Sequence, residues 1–145
     1  MSEKKTDKQI VGNVGMFYVC YQLSLLGWNV MPTSRNAKGI DVIAYSPDGK
    51  NYLGIQVKTL SNPANVPVGK EENIIMGDFW VIVVLSPDNK EKCQNGKKHT
   101  IKPTAYILKN AEIEKICDHY GKSLWLRRNK YEKDEFENNW SRIKN

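Results

Sequence analysis

The chain has 145 residues, 40% hydrophobic and 26% charged, a length and apolar content that suit one domain with a modest core. No apolar run approaches the roughly 20 residues of a membrane helix. No repeat or low-complexity segment appears, and Cys20, Cys93, Cys117, His99 and His119 show no zinc spacing. The net charge of +6 is uneven: residues 1–89 hold eight Lys/Arg against eight Asp/Glu, and the other 14 Lys/Arg and 8 Asp/Glu lie from Lys90 onward. A basic excess in one half suits a polyanion partner or a solubilising surface.

The charged start, Met1 to Gln9, leads into no plain apolar segment of a signal peptide, and residues 1–8 are expected to be flexible. The odd, widely spaced cysteines point to reduced thiols in a cytoplasmic protein, with Cys20 and Cys117 facing the core. From about Lys8 to Leu26, Ile10, Val11, Val14, Phe17, Tyr18, Tyr21 and Leu25 recur at helical spacing, which predicts a helix with a wide buried face. Gly12 and Gly15 each cost such a helix roughly 1 kcal/mol against Ala, which suggests close packing on a sheet. Gly27 is a suitable stop. Trp28 to Met31 reads as a strand and Pro32 to Asn36 as a loop.

Gly39–Tyr45 and Asn51–Leu60 are strand-like runs on either side of Ser46-Pro47-Asp48-Gly49-Lys50, strong turn chemistry. Centring the turn between Asp48 and Gly49 sets Ile40 opposite Val57, Val42 opposite Ile55 and Ala44 opposite Leu53, a wholly apolar face. The other face pairs Asp41 with Gln56, Ile43 with Gly54 and Tyr45 with Tyr52, and opposed residues lie about 5 Å apart at Cβ. Lys58, two residues beyond Gln56, projects from that same face.

Ser61 to Gly77 is a polar connection without a firm pattern. Phe79 to Leu85 is an unbroken apolar run, as in a central strand covered on both sides. Ser86 to Lys102 is a lysine-rich loop containing Asn95-Gly96. Ala105 to Leu108 reads as a strand, and Asn110 as the cap of a helix running to about Tyr120, ended by Gly121. Ser123 to Leu126 reads as a further strand. Phe136, Trp140 and Ile143 mark a C-terminal helix within a helical extension over 127–145. Trp28, Trp80 and Trp140 are assigned to the core. The order favours an α/β sandwich around a mixed sheet.

A Gly-rich first helix, then Gly39-Ile40-Asp41-Val42, then a hairpin to Gln56-Val57-Lys58, resembles the PD-(D/E)XK nuclease superfamily. The Gln-x-Lys form resembles Mrr-like restriction endonucleases and related small bacterial domains. The likeness covers about Gly12 to Leu85, and more loosely Tyr106 to Tyr120. It implies a single domain over 1–145 with a restriction-endonuclease-like αβββαβ core, its mixed central sheet flanked by helices. It also implies metal-dependent phosphodiester hydrolysis of nucleic acid, DNA favoured, in restriction, defence or mobile-element biology. Asp41, Gln56 and Lys58 would be the catalytic set. Asp41, Gln56 and the Val57 backbone carbonyl would hold Mg²⁺ or Mn²⁺, which favour oxygen ligands. Lys58 would orient water or stabilise charge on phosphate. Homodimers, or association with a separate recognition subunit, also follow from the resemblance.

Two departures stand out. Gln56 replaces the usual acid, and Met16 follows Gly15 where many relatives carry Glu, which leaves Asp41 as the one carboxylate. These departures favour an alternative, a catalytically degenerate domain that binds nucleic acid or a protein, such as a toxin-neutralising subunit. A blander alternative for Asp41, Gln56 and Lys58 is the solvent face of an ordinary hairpin. Ser34, Arg35, Asn36 and Lys38 are candidates for phosphate contacts. Arg127, Arg128 and Lys130, interleaved with Trp125 and Tyr131, either bind a nucleic-acid backbone or flank aromatics that pack the last helix. Asp78 is either a substrate-side residue or a turn residue before its strand.

Overall fold

The computed structural model describes residues 7–34, 39–71, 75–85 and 102–144. Helix α1 (Lys8–Leu25) begins where Asp7 Oδ1 accepts the Gln9 amide at 2.7 Å. It ends at Gly27, whose φ of 89° lets the chain turn so that the Trp28 amide reaches the Leu23 carbonyl at 3.1 Å. Val11, Gly15, Val19 and Leu23 are its buried side. Gly15 is required there, since a Cβ would stand 1.8 Å from Thr59 Oγ1. Gly12 has no such constraint, because nothing lies within 4 Å of where its Cβ would be.

The buried face expected from periodicity needs correction. Of its members only Val11 is buried and Tyr18 half-buried, while Ile10, Val14, Phe17, Tyr21 and Leu25 are exposed. The helix carries apolar residues on two sides. The glycine that admits the Thr59 side chain, rather than the larger stripe, decides which side meets the sheet.

Five strands follow in the main sheet: β1 (Asn29–Pro32), β2 (Val42–Tyr45), β3 (Tyr52–Leu60), β5 (Phe79–Val84) and β6 (Thr104–Lys109). Their spatial order is β1-β2-β3-β5-β6, with only β3 and β5 parallel, which makes the sheet mixed. The β2–β3 register is the one the turn chemistry predicts, from Val42 opposite Ile55 to Tyr45 opposite Tyr52. Asp48 fixes that turn by accepting Ser46 Oγ at 2.5 Å and the Lys50 amide at 3.0 Å.

A parallel neighbour requires a crossover. Here it includes β4 (Val66–Lys70), which pairs with β8 (Ser123–Leu126), itself paired with β7 (Asp118–Tyr120), in a second sheet. The main sheet therefore has two covered faces. Val42, Ala44, Ile55, Val81, Val83 and Ile107 meet Val19, Leu23 and Trp28 of the α1 segment. Trp80, Ile82, Val84 and Leu108 meet Val66, Leu126, Tyr131 and Phe136 on the other side. Every residue of β5 is buried, as its unbroken apolar run predicts.

Three C-terminal expectations differ from what is found. Asn110 is the first residue of α2 (Asn110–Ile116) and not its cap. Its Nδ2 instead donates to the Ile75 and Gly77 carbonyls at 2.8 and 2.9 Å. That helix stops at Ile116, and residues to Tyr120 form β7 because β8 offers them an antiparallel partner. The continuous last helix is replaced by one turn, α3 (Arg128–Tyr131), and a 3-10 turn at Trp140–Arg142. Between them the chain lies along β6: Ile107 donates to the Phe136 carbonyl, Asn138 to the Ala105 carbonyl, and Asn138 Oδ1 accepts the Ala105 amide. Helix bonds lose to strand-edge bonds, and Asn138 takes a positive φ of 49° to make the bend.

Trp28 and Trp80 are core residues as expected, and Trp140 is half-buried against Tyr18. Cys20 and Cys117 are half-buried, and burial raises both thiol pKa values, which disfavours the reactive thiolate. Residues 1–6, the 86–101 segment with Cys93 and His99, and Arg35, Asn36 and Lys38 lie outside the described residues. No helix among the described residues is long and apolar enough to cross a membrane.

Candidate functional site

Asp41 stands one residue before β2, where the hairpin opens. Its amide donates to the Ile55 carbonyl at 2.9 Å, and its own carbonyl accepts the Thr33 amide at 2.9 Å. Thr33 Oγ1 adds a bond to the Ile40 carbonyl at 2.6 Å, so the backbone around the aspartate is held from both sides. The carboxylate then takes a place in the sheet's hydrogen bonding. Asp41 Oδ2 accepts both the Val57 amide and Gln56 Nε2, each at 2.7 Å. A side-chain oxygen thus satisfies a strand amide that would otherwise need another acceptor. Asp41 Oδ1 has no hydrogen-bond partner, and Asp41 no ion pair, among the described residues.

Asp41 also lines a cavity of about 290 Å³ with Gly12, Asn13, Met16, Thr33, Ser34 and Val57. Of the residues expected at the site, Asp41, Gln56 and Val57 come together through hydrogen bonds, and Ser34 joins Asp41 and Val57, but not Gln56, in the cavity wall. Lys58 lies on the same face of β3 as Gln56, with Nζ 5.5 Å from the centre of the Trp80 ring. That geometry is a cation–π contact. Lys58 has no salt bridge to Asp41.

The α1 side of the wall was not legible as such. Gly12, Asn13 and Met16 reach the cavity because α1 crosses beside the hairpin's open end. The spacing of Gly12 and Met16, one helical turn apart, is the signal that could have indicated it. Met16, noted for occupying an acid's usual place, is thereby set against Asp41's own cavity.

The residues fit a hard divalent ion of modest affinity. Magnesium is commonly held by one or two carboxylates and keeps several waters. Asp41 Oδ1 would supply one anionic ligand, and Asn13 and Ser34 line the cavity beside Asp41 with neutral oxygen-bearing side chains. Gln56 turns its amide nitrogen toward Asp41, and a half-turn of that terminal torsion would present its carbonyl oxygen instead. Val57 offers its amide, not its carbonyl, to Asp41. Among the described residues no group of three or more His, Cys, Asp or Glu is gathered to hold a metal.

The other basic candidates sit on the second sheet and α3, in ion pairs. Asp118 accepts Arg127 Nε and Lys130 Nζ, each at 2.7 Å, and Lys130 also donates to the Ile116 carbonyl at 2.9 Å. Arg128 Nε pairs with Glu132 at 2.6 Å. The Lys130 bond, then the Arg127 bond, lower the Asp118 pKa. Asp78 is tied to β3, its Oδ2 accepting the Gly54 amide at 2.7 Å, which fits a residue that starts a strand.

The chain matches no protein-family model and no curated protein sequence. Its structure is similar to that of a bacterial homing endonuclease, I-Ssp6803I, with a TM-score of 0.55 and 13% identity over 95% of this chain and 93% of the other. A Holliday junction resolvase, Archaeoglobus fulgidus Hjc, aligns with a TM-score of 0.44 and 10% identity over 79% of this chain and 89% of its own. The first likeness shows a shared fold, and the expected α/β class with a mixed central sheet holds.

Proposed function

We propose that this chain is a divalent-metal-dependent nuclease acting on nucleic acid, DNA in preference to RNA, in the Gln-x-Lys style of the Mrr-like enzymes. The observation that carries the reading is Asp41: a half-buried carboxylate that lines a cavity, braced by Gln56 and Val57 through one oxygen, with the other unpartnered among the described residues. In this reading Asp41 and Gln56 hold Mg²⁺ or Mn²⁺, with the Val57 carbonyl as a further ligand. The ion supplies Lewis acidity toward phosphate and lowers the pKa of an attacking water. Lys58, kept over Trp80, stabilises negative charge that builds on the phosphate. Ser34, Arg35, Asn36 and Lys38, and at a second place Arg127, Arg128 and Lys130, contact the backbone. The protein works in the cytoplasm.

The test is cleavage of labelled duplex DNA, and of RNA of the same sequence, with Mg²⁺, Mn²⁺ or chelator. Asp41→Ala and Lys58→Ala are each expected to lower the rate at least about 100-fold, with circular dichroism unchanged. Full cleavage by both variants would refute the assignment. Met16 in the cavity wall favours a second reading, a binding module on the same scaffold. Calorimetry with Mn²⁺ separates the two, because only the nuclease site gives binding heat that Asp41→Ala removes. A DNA binder of either kind should lose affinity steeply with salt.

A further inference from the structure

A second cavity, of about 600 Å³, shares no lining residue with the one beside Asp41. Both meet β3, this one at Leu53 and the other at Val57, roughly 13 Å further along the strand. Its wall has an apolar part, Leu53 and Phe79, and a charged part, Lys109, Glu112, Arg142 and Lys144. Small-molecule sites span about 300–1,000 Å³ and combine these two kinds of lining.

Glu112 assembles the charged part. Its Oε2 accepts the Lys109 amide, at the end of β6, at 2.7 Å and Arg142 Nη2, from the 3-10 turn, at 2.6 Å. Its Oε1 accepts Arg142 Nη2 as well. The guanidinium carbon also lies 5.0 Å from the centre of the Phe136 ring, so Arg142 is fixed in advance of any ligand. Arg142 and Glu112 balance each other, which leaves the two lysine charges. Neither lysine ammonium has a hydrogen bond or ion pair among the described residues, and the buried Arg142 Nε has no hydrogen-bond partner there either. Exposed lysines alone are ordinary solvated surface. A buried guanidinium donor without an acceptor is not, because folded proteins pair such groups.

The charges select the ligand. Two unbalanced cations match a phosphate monoester, which carries about −1.5 to −2 at pH 7, better than a backbone diester with its single charge. Inorganic phosphate would leave Leu53, Phe79 and most of the volume unused, whereas a monoester on a planar ring uses both parts of the wall. We propose that this cavity binds a nucleoside monophosphate, free or as the phosphorylated end of a strand. Lys109 and Lys144 hold its phosphate with Arg142 as a third donor, and its ring lies toward Leu53 and Phe79. The assignment does not depend on Asp41 or on a metal.

Calorimetry of the full chain with adenosine 5′-monophosphate, in chelator so that no divalent ion takes part, tests this without reference to cleavage. The expected dissociation constant is below about 1 mM. Adenosine should bind at least about tenfold more weakly, and so should the nucleotide to a Lys109→Gln, Lys144→Gln double variant, whose exposed positions keep circular dichroism unchanged. Folded Asp41→Ala should bind it as the wild type does, so this result and the nuclease reading stand or fall separately. Absence of binding, equal binding of adenosine, an unaffected lysine variant, or loss of binding in Asp41→Ala would each overturn the proposal. Displacement of the nucleotide by single-stranded oligonucleotides then identifies the source. A 5′-phosphorylated strand that displaces it where a 5′-hydroxyl strand does not supports a strand end, and displacement by neither supports the free nucleotide. Equal displacement by both would overturn the monoester assignment in favour of the diester backbone.

Discussion

Asp41 and Asp118 each accept two short bonds from neighbours, yet the two aspartates are left in different states. Asp118 faces two cations, and both of its oxygens are engaged, Oδ2 by Arg127 and Oδ1 by Lys130. Asp41 faces two neutral N–H donors on one oxygen and has no ion-pair partner among the described residues. The basic half of the sequence is thus partly spent on internal pairing. Asp41, with one oxygen unpartnered among the described residues and a cavity at its side, lies in the electrically balanced half. Net charge says where a polyanion could be attracted. Which carboxylate can still act is decided by what its neighbours leave unsatisfied.

That contrast can be broken by substitution. The largest effect on stability is expected at Asp41→Ala, which strands the Val57 amide and the Gln56 side chain and should cost about 1–3 kcal/mol in urea unfolding. Asp41→Asn retains an acceptor and should recover most of that loss, while Mn²⁺ binding stays absent. A full loss in both variants would mean that charge, not bonding, holds the hairpin mouth. Lys58→Ala removes one cation–π contact and should cost about 0.5–1 kcal/mol, far less than its expected effect on cleavage.

Asp118→Asn should move the urea midpoint least at pH 7. The Asp118 pKa is lowered by Lys130 and Arg127, so its ion pairs contribute above the ordinary aspartate value near 4. Their contribution is lost as pH falls through the depressed folded value. The gap between wild type and Asp118→Asn should therefore be steady from pH 7 to 5 and close below about pH 4. A gap that persists at pH 2 would show that the cluster acts through packing rather than charge.

The hairpin was legible because its turn is written in local chemistry: Ser46, Asp48 and Gly49 fix the reversal, and alternation does the rest. The pairing of Asp41 with Gln56 followed from that register. The orientation of α1 was not legible, since both of its sides are apolar and the decision rests on a contact between Gly15 and Thr59, 44 positions apart in sequence. The Lys58–Trp80 contact depends on a parallel neighbour whose register no local pattern encodes. The C-terminal residues have helical spacing, but the open side of β6 gives their backbone better partners than a helix would.

That last pairing has a consequence for how the molecule meets its own kind. An uncapped strand margin is a template on which foreign chains can polymerise. Phe136 to Asn138 occupy that margin on β6 from within the same chain, and at the opposite margin β1 closes with Pro32, which has no amide to offer. Shortening the protein ahead of Phe136 would therefore do more than remove a tail. It would bare the outer margin of β6 to pairing by other chains.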